Sequence, residues 1–491
     1  MRQFLQLAVF ASLALSAAAE IPTLVPVPQS TDKSSRWYKR YLEKDALVKK
    51  GGWKVVFLGD SITQGWEGAG KVQWEREFEG APYSALNLGF SGDRTENVAW
   101  RIEHGELDGY EAKAIVLMIG TNSVRKDNPL CPQNPAIDRI LGVRDLLRRI
   151  RVKQPKAKVI LCAVFPRGPT PTNLSRQTNA AINREIQKFC DGKTVFWCDF
   201  TDQFLNPDGS LSAAMMPDYL HPAAPGYEIW SAAVKPFLNY ALTAKEGDLP
   251  FPQLFRGSAD SSAFLSGKPS AAIPQTRIGE RDGGPGDWWL DRVESHRGEI
   301  LNSKGEFDLV FLGDSITHNW EVKGRGKTIL AELCKTYSIL NLGYGGDRTQ
   351  HLLWRIRYGE LDNYKAKLVM LMIGTNNRSD KRREDVVEGV KEILGEIARR
   401  QPEAKVVLMP IFPRGRDAKD VSRQMNEQVN EKIRAFADGQ RVIWCDINAK
   451  LVNKDGSLDR AMMPDLLHPS EKGYVIWRDA VLPYFREVCG K

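Results

Sequence analysis

At 491 residues the chain is longer than one hydrophobic core usually supports and points to about two to four domains, two being the simplest division. Hydrophobic residues make up 42% and charged residues 26%, a balance that excludes an intrinsically disordered or membrane-embedded chain. The net charge of +8 comes from Lys and Arg interspersed with Asp and Glu, not from basic blocks. It describes a solvated surface with a weak preference for anionic substrates and gives no reason to expect a nucleic-acid partner.

The N-terminus reads Met1-Arg2, an apolar run from Phe4 to Leu15, and then Ala17-Ala18-Ala19 before Glu20. This is the pattern of a secretory signal peptide over residues 1–19, cleaved at an A-x-A site, and it predicts a secreted or periplasmic protein. A membrane anchor needs about 18 or more apolar residues, which no other stretch supplies, so stable membrane insertion is not expected. The cysteines Cys131, Cys162, Cys190, Cys198, Cys334, Cys445 and Cys489 form no CxxC pair and no dense framework, so disulfides are not the main staple.

From residue 34 onward the chain contains itself twice. VVFLGDSIT (Val55 to Thr63) answers LVFLGDSIT (Leu309 to Thr317), and NLGFSGDRT (Asn87 to Thr95) answers NLGYGGDRT (Asn341 to Thr349). WRIEHGELDGY from Trp100 answers WRIRYGELDNY from Trp354, LMIGTN recurs unchanged, and AMMPDYLHP from Ala214 answers AMMPDLLHP from Ala461, all in the same order. A repeat of this size is a duplicated domain, which places one copy at 34–245 and the other at 287–491. Ser61 and Ser315 stand as far apart as Asn122 and Asn376, whereas His221 and His468 are seven residues closer. The extra residues of the first copy fit its Pro-rich stretch Asn128 to Pro135, read as a loop. Residues 246–286, rich in Pro, Gly and Ser, read as the linker.

Within the first copy, short apolar runs at Val55–Leu58, Ala85–Leu88, Ile115–Ile119, Val159–Val164 and Val195–Trp197 alternate with longer amphipathic stretches. Continuous apolar strands separated by helices predict a three-layer α/β/α domain on a mostly parallel five-stranded sheet. Ligands in such sheets bind at the carboxyl ends of the strands.

Ser61 and Ser315 directly follow the first strand of each copy, in Gly-Asp-Ser. That places a hydroxyl at the sheet edge and a backbone N–H at a helix start. A lone Gly-Asp-Ser serves equally well as a helix cap, the role expected of Asp60 and Asp314. At the far end of each copy, Asp218 precedes His221 by three residues, as Asp465 precedes His468. On one turn the carboxylate can hold the imidazole N–H while the other ring nitrogen faces the serine. These are the only histidines that superimpose; His104, His296, His318 and His351 lack counterparts, which argues against a repeated histidine metal site. Donors for an oxyanion are offered by the backbone of Gly92 and Gly346 and by the side chains of Asn122 and Asn376, although a turn glycine and a helix-capping asparagine look the same in sequence.

Gly-Asp-Ser, a glycine loop, Gly-x-Asn and Asp-x-x-His in this order resemble the blocks of the SGNH (GDSL-type) hydrolases, and they occur twice. The NLGxxGDRT block followed by WRI, GEL and GTN resembles the catalytic subunits of intracellular platelet-activating-factor acetylhydrolase. The resemblance implies two tandem flavodoxin-like SGNH domains, with Ser61 and Ser315 as nucleophiles and His221 and His468 as bases oriented by Asp218 and Asp465. It implies oxyanion holes of the serine N–H with Gly92 and Asn122, and with Gly346 and Asn376, and calls for no metal or organic cofactor.

Arg94 and Arg348 are expected to form structural ion pairs, Trp66 and Trp320 to line an acyl pocket or simply to pack, and Cys198 and Cys445 to be buried thiols. The function expected is a secreted carboxylic ester hydrolase that removes small acyl groups, chiefly O-acetyl from carbohydrates. A short-chain lipid esterase or phospholipase is the alternative, as is one active domain beside a substrate-binding one. The oligomeric state is left open.

Overall fold

The computed structural model describes residues 24–80, 82–122, 136–243, 270–272, 274–275, 277, 288–303, 305–377 and 383–490. The expected signal peptide and the Pro-rich insertion lie outside the described residues, as does most of the expected linker.

The first unit runs α1 (Arg36–Val48), β1 (Val55–Gly59), α2 (Ser61–Gln64), α3 (Lys71–Glu77), β2 (Ala85–Gly89), α4 (Thr95–Arg101), β3 (Ala114–Met118), α5 (Ala136–Lys153), β4 (Lys158–Cys162), α6 (Leu174–Ile186), β5 (Val195–Cys198) and α7 (Ala224–Thr243). The second repeats it with α8 (Trp288–Asn302), β6 (Glu306–Gly313), α9 (Ser315–His318), α10 (Lys327–Leu333), β7 (Ile339–Gly343), α11 (Thr349–Arg355), β8 (Lys365–Met372), α12 (Arg383–Arg400), β9 (Lys405–Leu408), α13 (Val421–Ile433), β10 (Val442–Trp444) and α14 (Glu471–Cys489). Each sheet has five strands, in the orders β2-β1-β3-β4-β5 and β7-β6-β8-β9-β10. Every strand pairing is parallel, where a mostly parallel sheet was expected.

All five residues of β1, β2 and β3 are buried, because helices cover both faces of each sheet. On one face of the first sheet Phe57, Trp66, Phe78, Tyr227 and Trp230 pack together; Phe311, Trp320, Tyr474 and Trp477 do the same in the second. Trp66 and Trp320 are fully buried in these clusters, so they are packing residues and line no acyl pocket. Cys198 and Cys445 are buried thiols, as expected. Arg94, at the N-cap of α4, pairs with Glu96 on that helix, the structural role expected of it.

The opposite faces merge into one apolar cluster that includes residues of both units. The contact is made by α5 and α6 of the first domain and by α8 and α11 of the second. Arg297 on α8 donates from Nε and Nη2 to the two oxygens of Asp138 on α5, at 2.9 and 3.0 Å, with both residues buried. Trp354 Nε1 donates to Glu185 on α6 at 2.8 Å, and Arg144 pairs with Glu294 and with Asp291. Part of the expected linker also belongs to the second domain: Ala271 and Ala272 are fully buried, and the Ala271 carbonyl accepts from Thr349 Oγ1 at 2.8 Å.

Removing one partner of a buried bidentate pair leaves an uncompensated charge, at a cost of about 3–5 kcal/mol. Arg297→Ala is therefore expected to lower the melting temperature clearly, and Arg297→Lys to recover only part of the loss, since an ammonium cannot form the fork. Calorimetry that finds both variants as stable as the parent would show that the pair contributes nothing to domain docking.

Candidate active site

In each domain the first strand ends at a glycine with no room for a side chain: a Cβ on Gly59 would lie 2.2 Å from the Met118 carbonyl, and one on Gly313 2.3 Å from that of Met372. The chain turns there into the short helix that begins with the serine. Asp60 caps that helix by accepting from Ile62 N at 3.0 Å, and Asp314 accepts from Ile316 N at 2.9 Å, as expected.

Ser61 Oγ lies 2.9 Å from His221 Nε2, and His221 Nδ1 lies 2.7 Å from Asp218 Oδ2. The second domain repeats the line, with Ser315 Oγ 2.9 Å from His468 Nε2 and His468 Nδ1 2.9 Å from Asp465 Oδ2. Asp218 Oδ1 also accepts the backbone N–H groups of Leu220 and His221, at 3.0 and 2.7 Å; Asp465 does the same with Leu467 and His468, at 3.1 and 2.7 Å. Burial works to raise the Asp218 carboxyl, but bonds from the His221 ring and backbone outweigh it and hold the group below its ordinary value. The same balance holds Asp465 at about 2. An ionised carboxylate only accepts, so Nδ1 carries the proton and Nε2 is left to accept from the serine hydroxyl. The turn that makes this possible puts Tyr219 and Leu466 in the left-handed region, with φ +58° and +61°. Each is anchored through its carbonyl, which accepts from Gly168 N and Gly415 N respectively. Asp199, the other carboxylate near a strand end, bonds to Thr201 instead.

Gly92 and Gly346 have φ of +79° and +77°, a backbone conformation that disfavours any side chain. Asn122 Nδ2 donates to the Asp93 carbonyl at 2.9 Å, and Asn376 Nδ2 to that of Asp347 at 3.0 Å. Both asparagines are thus tied to the glycine loop. Neither Asn122 nor Asn376 lies at the start of a described helix; α11 instead has its Thr349 N–H bonded to Asn377, one residue further on.

Three arrangements around this geometry were not identified from the sequence. Arg101, with no solvent exposure, ties Asp93 (2.8 Å) and Glu106 to the carbonyls of Leu88 and Gly59, both at 3.3 Å. Its repetition as Asp347, Arg355 and Glu360, inside blocks already seen to match, was the available signal. Arg325 donates to the carbonyls of His468 and Pro469 at 2.8 Å and to Asp465 at 3.2 Å. The first domain has the shorter Gly68-Ala69-Gly70 there, and the His221 side chain is 42% exposed against 21% for His468. Third, the glycine loop is gripped by side chains from α2 or α9 and from residues preceding each domain, described below.

A doubly wound parallel sheet with a hydrogen-bonded Ser-His-Asp line at the carboxyl ends of its strands is the architecture of α/β ester hydrolases. The GDSL-like Lipase/Acylhydrolase family matches residues 57–229 and 311–476, more than half of the chain. The chain belongs to that family and is a carboxylic ester hydrolase. It is 36% identical over 215 residues to the platelet-activating factor acetylhydrolase IB subunit alpha1 of Homo sapiens, covering 43% of this chain and 87% of that protein. With the alpha2 subunit of Rattus norvegicus it shares 34% over 190 residues, 38% of this chain and 79% of that one. Among solved structures it is similar to a GDSL-like lipase from Bacteroides thetaiotaomicron, with 21% identity, a TM-score of 0.34, and coverage of 42% of this chain and 98% of that one. It is also similar to the acetylxylan esterase Axe2 of Geobacillus stearothermophilus, with 20% identity, a TM-score of 0.30, and coverage of 37% and 94%.

Burial raises the Asp60 and Asp314 carboxyls to about 7, the nearby Asp93 and Asp347 adding to the rise against the pull of the cap bonds. Their folded values stand above the unfolded ones. The stability they contribute is therefore complete below about pH 4 and lost as pH rises through about 7. Asparagine caps as well as aspartate and cannot ionise. Asp60→Asn combined with Asp314→Asn should then melt at a higher temperature than the parent at pH 8, with the gap closing by pH 4. A gap of equal size at both pH values would show that these carboxyls do not titrate in this window.

Proposed function

We propose that each domain is a serine esterase that removes small acyl groups, with O-acetyl esters of carbohydrates outside the cytoplasm as its substrate class. The observation that carries this reading is the Ser-His-Asp line, present with the same serine–imidazole distance of 2.9 Å in both domains. Ser61 or Ser315 Oγ attacks the ester carbonyl while His221 or His468 Nε2 takes its proton and passes it to the departing alcohol. Water then attacks the acyl-serine, giving its proton to the same nitrogen, and the carboxylic acid leaves as the serine regains its hydrogen. Asp218 and Asp465 hold the imidazole tautomer and stabilise its cation. The serine N–H, the Gly92 or Gly346 N–H, and the amide hydrogen of Asn122 or Asn376 not used on the loop carbonyl meet the oxyanion.

The short acyl chain is supported by the acetylhydrolase names of relatives 34–36% identical. The carbohydrate alcohol is supported by export, expected from residues 1–19, and by a triad whose Asp218 and Asp465 side chains are 55% and 44% exposed, which suits an ester carried on a bulky polymer. Those same relatives act, by name, on platelet-activating factor, and this favours a short-chain lipid ester as the second reading. Among the described residues no helix is long and apolar enough to cross a membrane.

Acetate release from O-acetylated xylan and O-acetylated sialic acids is expected to exceed release from short-chain phospholipids at equal ester concentration; the reverse order would establish the lipid reading. Ser61→Ala and Ser315→Ala should each leave part of the activity and the double variant almost none, whereas a single variant already inactive on every ester would make the other domain a binding module. Within the Ser315→Ala chain, Asn122→Ala should lower kcat about a hundredfold with KM little changed, as should Asn376→Ala within the Ser61→Ala chain. A fall in melting temperature with normal kcat would instead assign the asparagines a purely structural role.

A further inference from the structure

Residues ahead of each domain bond to matching positions of its glycine loop and of the helix that follows it. In the first, Val27 N donates to the Glu96 carbonyl at 3.3 Å, and Gln29 Nε2 donates to the Ser91 carbonyl at 3.0 Å. In the second, Gln275 N donates to the Gln350 carbonyl at 3.1 Å, and Arg277 Nη1 donates to the Gly345 carbonyl. The N–H groups of these loop residues are held as well. Ser91 N donates to Gln64 Oε1 at 2.7 Å, and Gly345 N donates to His318 Nδ1 at 3.3 Å. Burial holds His318 down at about 4, so its ring is neutral and can accept.

The carbonyl of Ser91 and the N–H of Gly92 belong to one planar trans peptide and point in opposite directions. A donor fixed on that carbonyl therefore sets where the Gly92 N–H points, and it polarises the amide into a better donor. Glycine opposes rotation of this peptide less than any other residue would, so its orientation has to be imposed from outside. The contact is close: a Cβ on Gly92 would lie 2.6 Å from Gln29 Nε2, and one on Gly346 2.9 Å from Arg277 Nη1.

We propose that Gln29 and Arg277 are positioning residues of the oxyanion holes, each gripping the carbonyl of the loop peptide so that the following glycine N–H faces the ester oxygen. The inference rests on the assignment of Gly92 and Gly346 as oxyanion donors. The two grips differ in strength. Gln29 is a neutral donor, whereas Arg277 is charged, 4% exposed, set 5.2 Å over the Trp288 ring and 3.8 Å from Asp347. A charge-assisted bond holds the second loop more firmly.

The test uses the full chain with one serine silenced. In the Ser315→Ala background, Gln29→Ala should lower kcat about tenfold or more with KM changed less than about threefold. Gln29→Glu, equal in size but without a hydrogen to donate at pH 8, should be as poor. In the Ser61→Ala background, Arg277→Ala should show the same split, and Arg277→Gln, which installs the first domain's own donor, should restore most of the turnover. The proposal is overturned if Gln29→Glu keeps parental kcat, or if Arg277→Gln is as impaired as Arg277→Ala. Should Asn122→Ala and Asn376→Ala lose turnover in these backgrounds while the Gln29 and Arg277 variants keep it, the grip fails and the oxyanion assignment stands; if none of them changes kcat, both fall.

Discussion

A guanidinium shut away from water holds each site together. Arg101 reaches the carbonyl of Gly59 at the end of β1 and that of Leu88 in β2, the carboxylates of Asp93 and Glu106, and the face of Phe90, 4.0 Å from its ring centre. Asp93 takes a second bond from Trp37 on α1 at 2.6 Å, and its carbonyl takes the amide of Asn122. One buried ion thus links the strand that precedes the serine, the loop that carries the glycine, and the asparagine. Desolvating such a cation costs several kcal/mol, which two carboxylates and the strand carbonyls offset only in this geometry. Its rigidity suits a site whose donors must be in place before charge develops. Arg355 holds the second loop in the same way through Asp347, Glu360, the Leu342 carbonyl at 3.3 Å and the Tyr344 ring at 3.7 Å, but makes no bond to the Gly313 carbonyl that corresponds to Gly59.

On this common frame the two sites carry different surroundings. His318 stands where the first domain has Gln64, and Arg277 where it has Gln29. Arg325, which bridges Asp465 and the His468 carbonyl, has no counterpart at all. The serine-to-imidazole geometry is unchanged by these substitutions, because it is set by the Asp-x-x-His turn and the first strand. What they change is the set of donors that hold the loops and, through Arg325, the charge beside the triad. Among the described residues the second site carries two arginines, Arg277 and Arg325, that the first lacks, and its histidine side chain is 21% exposed against 42%.

The domains meet through unlike surfaces, α5 and α6 of one against α8 and α11 of the other. Counting from the tryptophan that bonds the loop aspartate, Asp45 of the first domain stands where the second has Arg297. The buried Asp138–Arg297 pair is therefore specific to this order of the copies and not a property of the duplicated unit.

The sequence by itself determined the duplication, the alternating α/β layers, and the serine, histidine and aspartate of each line. These rest on short-range pattern: apolar runs of strand length, a serine directly after a strand, and an aspartate three residues from a histidine on one turn. The glycine and asparagine of each loop were legible as candidates because they superimpose between copies. The tertiary structure alone decided that Trp66 and Trp320 pack in the core, since a tryptophan five residues past the serine reads alike in either role. It alone joined Arg101 to Asp93 and Glu106, Arg325 to Asp465, and Gln29 and Arg277 to their loop carbonyls. Contacts such as Arg325 to Asp465 and Gln29 to Ser91 bring together side chains and carbonyls far apart in the chain, with no fixed spacing. Only the packing of strands and helices sets their distances, and no local periodicity records it.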